Sequence, residues 1–479
     1  MSTEVDELES RQKPSGPEYT GWQAKVADYF KFDFYQTNFR TETFAGITTF
    51  MTMAYILVVN PLILSDAIFL SQPKDLFAEQ VFATAISAAI ATLVMAFVAR
   101  YPFALAPGMG LNAFFAYSVV LTLGFDWRLA LSAVFVEGLI FILLTLTNVR
   151  SQIVNAIPLS LKSATAVGIG MFIAYIGLSG DPKVGGAGII IASEVTKTTL
   201  GNFGTPATLL ATLGILMTTA LMVKRVKGSL LWGILATALL GWIFGVSPWP
   251  KGLLQFPTFP TDLFGQSIIG FTKITGSNFL DFVAVLLVFL FVDIFDTVGT
   301  LSGVGMKAGY IRPDGTLPRV NQALFADAVG TTVGAIVGTS TVTTYAESAA
   351  GVSEGGRTGF TALVTGLLLT AAIFFVPLFE AIPAYATAPA LVITGVLMMT
   401  AALDIEWEDV SEAIPAFLTI FFIPFAFSIA SGLAIGFIVY PFAKAFQGRA
   451  REVSIATWLL AGLFIARFVF MTLRFGRAE

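Results

Sequence analysis

The chain has 479 residues, of which 56% are hydrophobic and 12% charged, and its mean hydropathy is +0.81. A soluble chain carries about twice that charged fraction, and apolar runs this unbroken make a bilayer the solvent. The net charge of −4 leaves no basic surface for nucleic acid, and the absence of Cys and His excludes disulfides, thiol nucleophiles, haem and thiolate or imidazole metal sites.

Residues 1–42 are polar and mixed in charge (Glu4, Asp6, Glu7, Glu9, Arg11, Lys13) and lack the basic start and short apolar core of a signal peptide. They read as a cytoplasmic tail that ends in a surface helix around Trp22 to Phe32. Apolar segments long enough, or nearly so, to cross a hydrocarbon core of roughly 30 Å follow. They fall at 43–64, 80–99, 106–123, 129–147, 163–178, 205–223, 229–246, 279–298, 322–338, 342–351, 359–380, 386–404, 413–428 and 430–446, which makes fourteen spans. A further stretch, 454–473, carries Arg467 near its middle and is read as interfacial, with a fifteenth span as the alternative.

Lys and Arg in the connections set the orientation. With the N-terminus inside, 18 of them fall on the inner side and 6 on the outer, which predicts a cytoplasmic N-terminus in a cell membrane. Ala156-Ile157-Pro158 opens the fifth span and Ala381-Ile382-Pro383 the twelfth. An offset of seven spans, an odd number, implies an inverted repeat. The third and tenth spans correspond in the same way, and both are interrupted. Pro107, Gly108 and Gly110 disfavour helix before Asn112, and the run Thr339-Ser340-Thr341-Val342-Thr343-Thr344 favours extended backbone. Such backbone is tolerated at membrane depth only where protein or a water-filled cavity covers it, so the two breaks point to a transport site.

The ionisable residues singled out inside the membrane are acids. Asp293 and Asp296 stand three residues apart on one face of the eighth span, and Glu347 follows the Thr-rich run on the tenth. The basic residues between 279 and 351 (Lys307, Arg312, Arg319) fall in the inner loop. The acids are therefore expected to be neutralised by protonation, a cation, or hydrogen bonds to a polar ligand. Asn112 occupies the matching place in the third span, Thr344 opens the second half-helix, and Phe50, Phe114, Phe115 and Phe295 are available for stacking. Acceptors on carboxylates beside donors on helix N-termini suit a planar heterocycle with ring N–H and carbonyl groups.

The stretches Thr37-Asn38-Phe39-Arg40-Thr41-Glu42 to Tyr55, Ala106-Pro107-Gly108-Met109-Gly110-Leu111-Asn112-Ala113, Phe291–Gly299, and Thr343-Thr344-Tyr345-Ala346-Glu347-Ser348 through Gly359 resemble the AzgA-like purine permeases. These are a branch of the nucleobase–cation symporters that also resembles uracil and xanthine permeases. The resemblance implies an all-α integral membrane fold of 14 spans in seven-plus-seven inverted repeats, with short extended segments before half-helices 3 and 10. It implies a core domain (43–162 and 279–380, spans 1–4 and 8–11) and a gate domain (163–278 and 381–446, spans 5–7 and 12–14), followed by a C-terminal segment at 447–479. It also implies import of adenine, guanine or hypoxanthine by proton symport, with an elevator-type displacement of the core. Asp293 and Glu347 would hold the base and couple the proton, with Asn112 beside them and Asp296 assisting. No cofactor is expected beyond the co-transported proton, which is favoured over sodium, and related permeases suggest a homodimer. The eighth-span acid lacks the His that accompanies it in uracil-type permeases, so coupling would fall to the carboxylates. The alternative on the same scaffold is a carrier of bicarbonate or sulfate, against which the clustered acids argue. Intramembrane proteolysis is disfavoured, because two acids one turn apart on one helix cannot straddle a substrate.

Overall fold

A computed structural model describes residues 19–146, 158–184, 186–312 and 317–475. The acidic start of the tail, Arg150, and Ala156 and Ile157 of the repeated tripeptide lie outside these ranges, as does the Arg467 side chain. A surface helix, α1 (Trp22–Tyr29), precedes the bundle.

The first seven spans are α2 (Phe39–Met53) with α3 (Ile56–Leu64), α4 (Phe77–Val94), α5 (Met109–Ala113, continued with wider turns through Phe114–Thr122), α6 (Trp127–Leu146), α7 (Leu159–Leu178), α8 (Pro206–Val223) and α9 (Ser229–Ile243). The second seven are α10 (Phe279–Lys307), α11 (Val320–Val337), α12 (Ser348–Ser353), α13 (Gly359–Ala371), α14 (Ala384–Met398), α15 (Val410–Phe425) and α16 (Ile429–Phe446). A last helix, α17 (Ile455–Phe475), packs on α16 through Phe464 against Phe437 and Trp458 against Phe442. Among the described residues, nine helices are long and apolar enough to cross a membrane, and several shorter apolar ones accompany them.

Local chemistry sets the helix ends. Asn38, Thr358, Asp409 and Ser428 cap α2, α13, α15 and α16 by accepting a backbone N–H two or three residues on. Glycine at φ 102° in position 338 ends α11, in the left-handed conformation that costs glycine least.

The helices pack in two groups. In one, α6 and α4 lie on α11, α13 lies on α2 and α4, and α10 lies on α6. In the other, α7 packs on α14 and α15, α15 on α16, and α8 on α9 and α14. The groups meet where α5 crosses α7. A Cβ on Gly110 would sit 2.5 Å from Ile169 Cγ2, so only glycine permits that approach.

Two strands lie inside the bundle. β1 (Leu105–Pro107) precedes α5 and pairs antiparallel with β4 (Val342–Thr344), which precedes α12, in the register Leu105↔Thr344, Ala106↔Thr343 and Pro107↔Val342. A second hairpin, β2 (Ile190–Ser193) with β3 (Lys197–Leu200), joins α7 to α8 at the bundle end opposite Lys224, Lys307, Arg357 and Lys444. That basic residue-bearing end is called the basic face below.

Candidate functional site

An isolated two-stranded sheet has two open edges, and in hydrocarbon each unpaired backbone group costs several kcal/mol. Two threonines remove the problem symmetrically. Thr92 on α4 donates to the carbonyl of Leu105 at 3.1 Å and accepts its N–H at 2.9 Å. Thr331 on α11 donates to the carbonyl of Val342 and accepts its N–H, both at 3.1 Å. The inverted repeat therefore extends to the hydroxyls that seal each strand. The Gly108 N–H donates to Thr341 O at 2.9 Å, the Tyr345 N–H to Ala104 O at 2.9 Å, and the Tyr345 hydroxyl to Pro107 O at 2.6 Å. These bonds tie the two chain breaks into one crossing.

The sequence-selected residues converge on this crossing in two clusters. In the first, the Asp296 carboxylate reaches the Thr343 hydroxyl and lies within Coulombic range of Asp327 and Glu347. A Cβ on Gly108 would meet Thr343 Oγ1 at 3.0 Å and Asp296 Oδ2 at 3.5 Å, so the glycine keeps this space open for the carboxylate. Glu347 stands at the N-cap of α12 and accepts the Tyr55 hydroxyl at 2.7 Å, across a chain separation of 292 residues. In the second cluster, Asp293 is fully buried and accepts from the Thr297 hydroxyl at 3.2 Å, and the same hydroxyl lies 2.9 Å from Asp327 Oδ1 on α11. A hydroxyl donates one hydrogen bond at a time, so Thr297 serves these two carboxylates alternately. Asp293 and Asp296 thus share a helix and the neighbourhood of Asp327, but bond different hydroxyls, Thr297 and Thr343.

Asn112 is fully buried and its side-chain oxygen accepts from the Ser340 hydroxyl, while its Nδ2 has no hydrogen-bond partner among the described residues. The Thr344 hydroxyl is likewise buried without a partner, on the strand face it shares with Val342 and opposite that of Thr343. Buried polar groups in native proteins are almost always paired, so such donors are candidates for a ligand. Among the aromatic candidates, Phe114 and Phe115 are buried against Phe289, with ring centroids 4.9 and 6.4 Å away, and so belong to the packing of the helices. Phe50 is partly buried against the core, and the Phe295 side chain lies outside the described residues.

Two intramembrane acids escaped the sequence reading. Glu137 on α6 is fully buried and accepts the Thr341 hydroxyl at 2.8 Å, and Asp327 faces Asp293 through Thr297. Both lie inside the expected fourth and ninth spans, and treating every ionisable residue at membrane depth as a site candidate would have selected them. The space around the crossing is asymmetric. Toward the basic face, Ala346, Gly299 and Gly303 are exposed, and Cβ atoms on the two glycines would meet nothing within 4 Å. Toward the other face, Phe289, Phe114 and Phe115 are fully buried.

The permease family matches residues 40–435. The chain belongs to this family of membrane transporters. It is 53% identical to the putative permease MJ0326 of Methanocaldococcus jannaschii, over 93% of this chain and 99% of that one. It is 45% identical to the guanine/hypoxanthine permease PbuG of Bacillus subtilis, over 92% and 99%, and 39% identical to the adenine permease AdeP of Escherichia coli, over 94% and 98%. Among solved structures, the transmembrane domain of the cyanobacterial bicarbonate transporter BicA superposes with a TM-score of 0.56 at 16% identity, covering 83% of this chain and 97% of that chain. The murine Slc26a9 anion transporter, inward-facing, gives 0.58 at 11% identity, covering 93% and 75%. At such identities these structures share the permease's seven-plus-seven fold and carry nothing about its cargo.

Proposed function

We propose that this permease imports purine nucleobases, namely adenine, guanine or hypoxanthine, together with a proton. The observation that carries the reading is the extent of likeness to guanine/hypoxanthine and adenine permeases, which covers more than nine-tenths of the chain. The chemistry supports it. Asp296 and Glu347, both half-buried, supply acceptors, and the buried Asn112 Nδ2 supplies a donor on the neighbouring half-helix. A purine edge displays both kinds of group, so each polar atom buried there can be paired. Asp293, bridged through Thr297 to Asp327, sits behind the crossing, where a proton taken up by the acids would relieve like-charge repulsion.

In this reading the helix group holding the crossing is the moving core (43–162 and 279–380). The group built on α7, α8, α9 and α14–α16 is the gate, and the basic face is cytoplasmic. Open space at Gly299, Gly303 and Ala346 then corresponds to a site opened inward. Proton and base couple because each binds better when the other is present. The test is uptake of labelled hypoxanthine into proteoliposomes under an inward pH gradient. Accumulation abolished by a protonophore supports the reading. Accumulation that follows a sodium gradient overturns the proton, and uptake of bicarbonate or sulfate instead of purine overturns the substrate.

A further inference from the structure

Phe427 is the middle residue of the three that join α15 to α16 at the end opposite the basic face, and its backbone is left-handed at φ 51°. That position after a helix is ordinarily filled by glycine or asparagine, because a Cβ crowds the following carbonyl. Among the described residues, the other non-glycine positions of positive φ carry Lys, Arg or Gln, so an aromatic ring here is off-pattern. A strained residue persists where its surroundings fix it, and function is a common reason.

The ring lies at the seam of the two helix groups. Its centroid is 4.9 Å from Phe172 and 5.7 Å from Tyr175, both on α7, and 6.2 Å from Tyr117, all edge-on. Tyr117 and Ser118 stand on the continuation of α5, in the other group. The Ser118 hydroxyl donates to the Phe427 carbonyl at 3.2 Å, and the Tyr117 hydroxyl donates to Asp66 Oδ2 at 3.1 Å. Leu62, one turn before Asp66, lines a cleft of about 310 Å³ on the same face with Lys74, Glu380 and Pro383. One aromatic residue is thus clamped on both sides of the seam, by its ring and by its carbonyl, at the end where the crossing is sealed. At the other end, the space beside Gly299 and Gly303 is open.

We propose that Phe427 is the closing element of the passage on the non-basic face. Its ring blocks the seam while the crossing opens toward the basic face, and it parts from Tyr117 and Ser118 when the crossing opens the other way. Tyr117 and Ser118 lie five and six residues beyond Asn112 on one continuous helix, so displacement of the Asn112 end moves the clamp with it. The left-handed backbone serves this role by fixing the ring direction at the three-residue joint Ala426-Phe427-Ser428. The inference rests on the transport reading for its purpose but not for its geometry.

The chain contains no cysteine, so a single introduced thiol reports cleanly. Ser118→Cys is close in size, and its site is 2% exposed. Labelling by a membrane-impermeant maleimide from the non-basic side is measured in S118C alone, in S118C/F427G and in S118C/F427L. Glycine removes the ring and relaxes the backbone, so F427G is expected to fold, and leucine restores bulk. The proposal expects F427G to raise the labelling rate at least tenfold and F427L to return it most of the way. Equal rates in S118C and S118C/F427G, with both proteins monodisperse, overturn it. So does a rise that F427L leaves unreversed. Because the readout needs no purine, it fails independently of the substrate assignment.

Discussion

At the residue scale, the crossing assigns different tasks to acids that look alike in sequence. Asp296 is aimed at Thr343, in the space that the missing Gly108 side chain leaves open, and Glu347 is held by Tyr55. Hydrogen bonds to charged groups contribute about 1.5–3 kcal/mol each, which corresponds to roughly 10- to 150-fold in affinity. Asp296→Asn and Glu347→Gln are therefore each expected to weaken purine binding by about that factor, measured by scintillation proximity on purified protein. Tyr55→Phe, which removes only the hydroxyl that orients Glu347, should cost less than Glu347→Gln. A Tyr55→Phe effect equal to that of Glu347→Gln would make the tyrosine a ligand in its own right. Gly108→Ala puts a methyl 3.0 Å from Thr343 Oγ1 and 3.5 Å from Asp296 Oδ2. It should lower affinity more than thermal stability, since the atoms displaced belong to the site.

At the scale of elements, the two-stranded sheet depends on its threonine seals. Thr92→Val and Thr331→Val keep the side-chain shape and strip both partners from Leu105 or Val342. Each should destabilise the protein by about 1–3 kcal/mol, the cost of leaving buried backbone groups unpaired, read as a lowered melting temperature in detergent. Their symmetry predicts similar losses, and a loss confined to one of them would contradict the equivalence of the two halves. Much of this architecture is legible in the sequence. Pro107 with its flanking glycines and the Thr-rich run mark where helices cannot continue, and hydropathy marks the rest. What sequence leaves hidden is pairing across the chain: the Tyr55–Glu347 bond spans 292 residues and Thr341–Glu137 spans 204, and no periodicity encodes either. Asp293 and Asp296 illustrate the same limit, because helical spacing puts them on one face while neighbouring helices decide which partners each finds.

At the scale of the whole molecule, the second helix group is fastened at the basic face by an ion cluster. Lys444, 2% exposed, lies 2.7 Å from Glu412 Oε1 and 3.4 Å from Asp409 Oδ2, and Arg449 reaches Asp409 at 2.5 Å. Asp409 is held well below the usual carboxylate range, first by the Ser411 hydroxyl and N–H and then by Arg449 and Gln447. A depressed folded-state value means its contribution is present above the unfolded value near 4 and is lost as pH falls further. The melting temperature difference between the parent protein and Asp409→Asn should therefore stay constant from about pH 5 to 8 and shrink below about pH 4. A difference that changes between pH 5 and 8 would place the relevant titration elsewhere.

We propose that the buried crossing of β1 and β4, with Asp296 and Glu347 at its mouth, carries a purine across the membrane with a proton. The most direct measurement is accumulation of labelled hypoxanthine in proteoliposomes under an inward pH gradient, by the parent protein and by Glu347→Gln. Concentrative uptake by the parent, competed by guanine or adenine and lost in the variant, is the predicted result. Proton-driven accumulation retained by Glu347→Gln, or no purine uptake by a parent that moves bicarbonate, would contradict it.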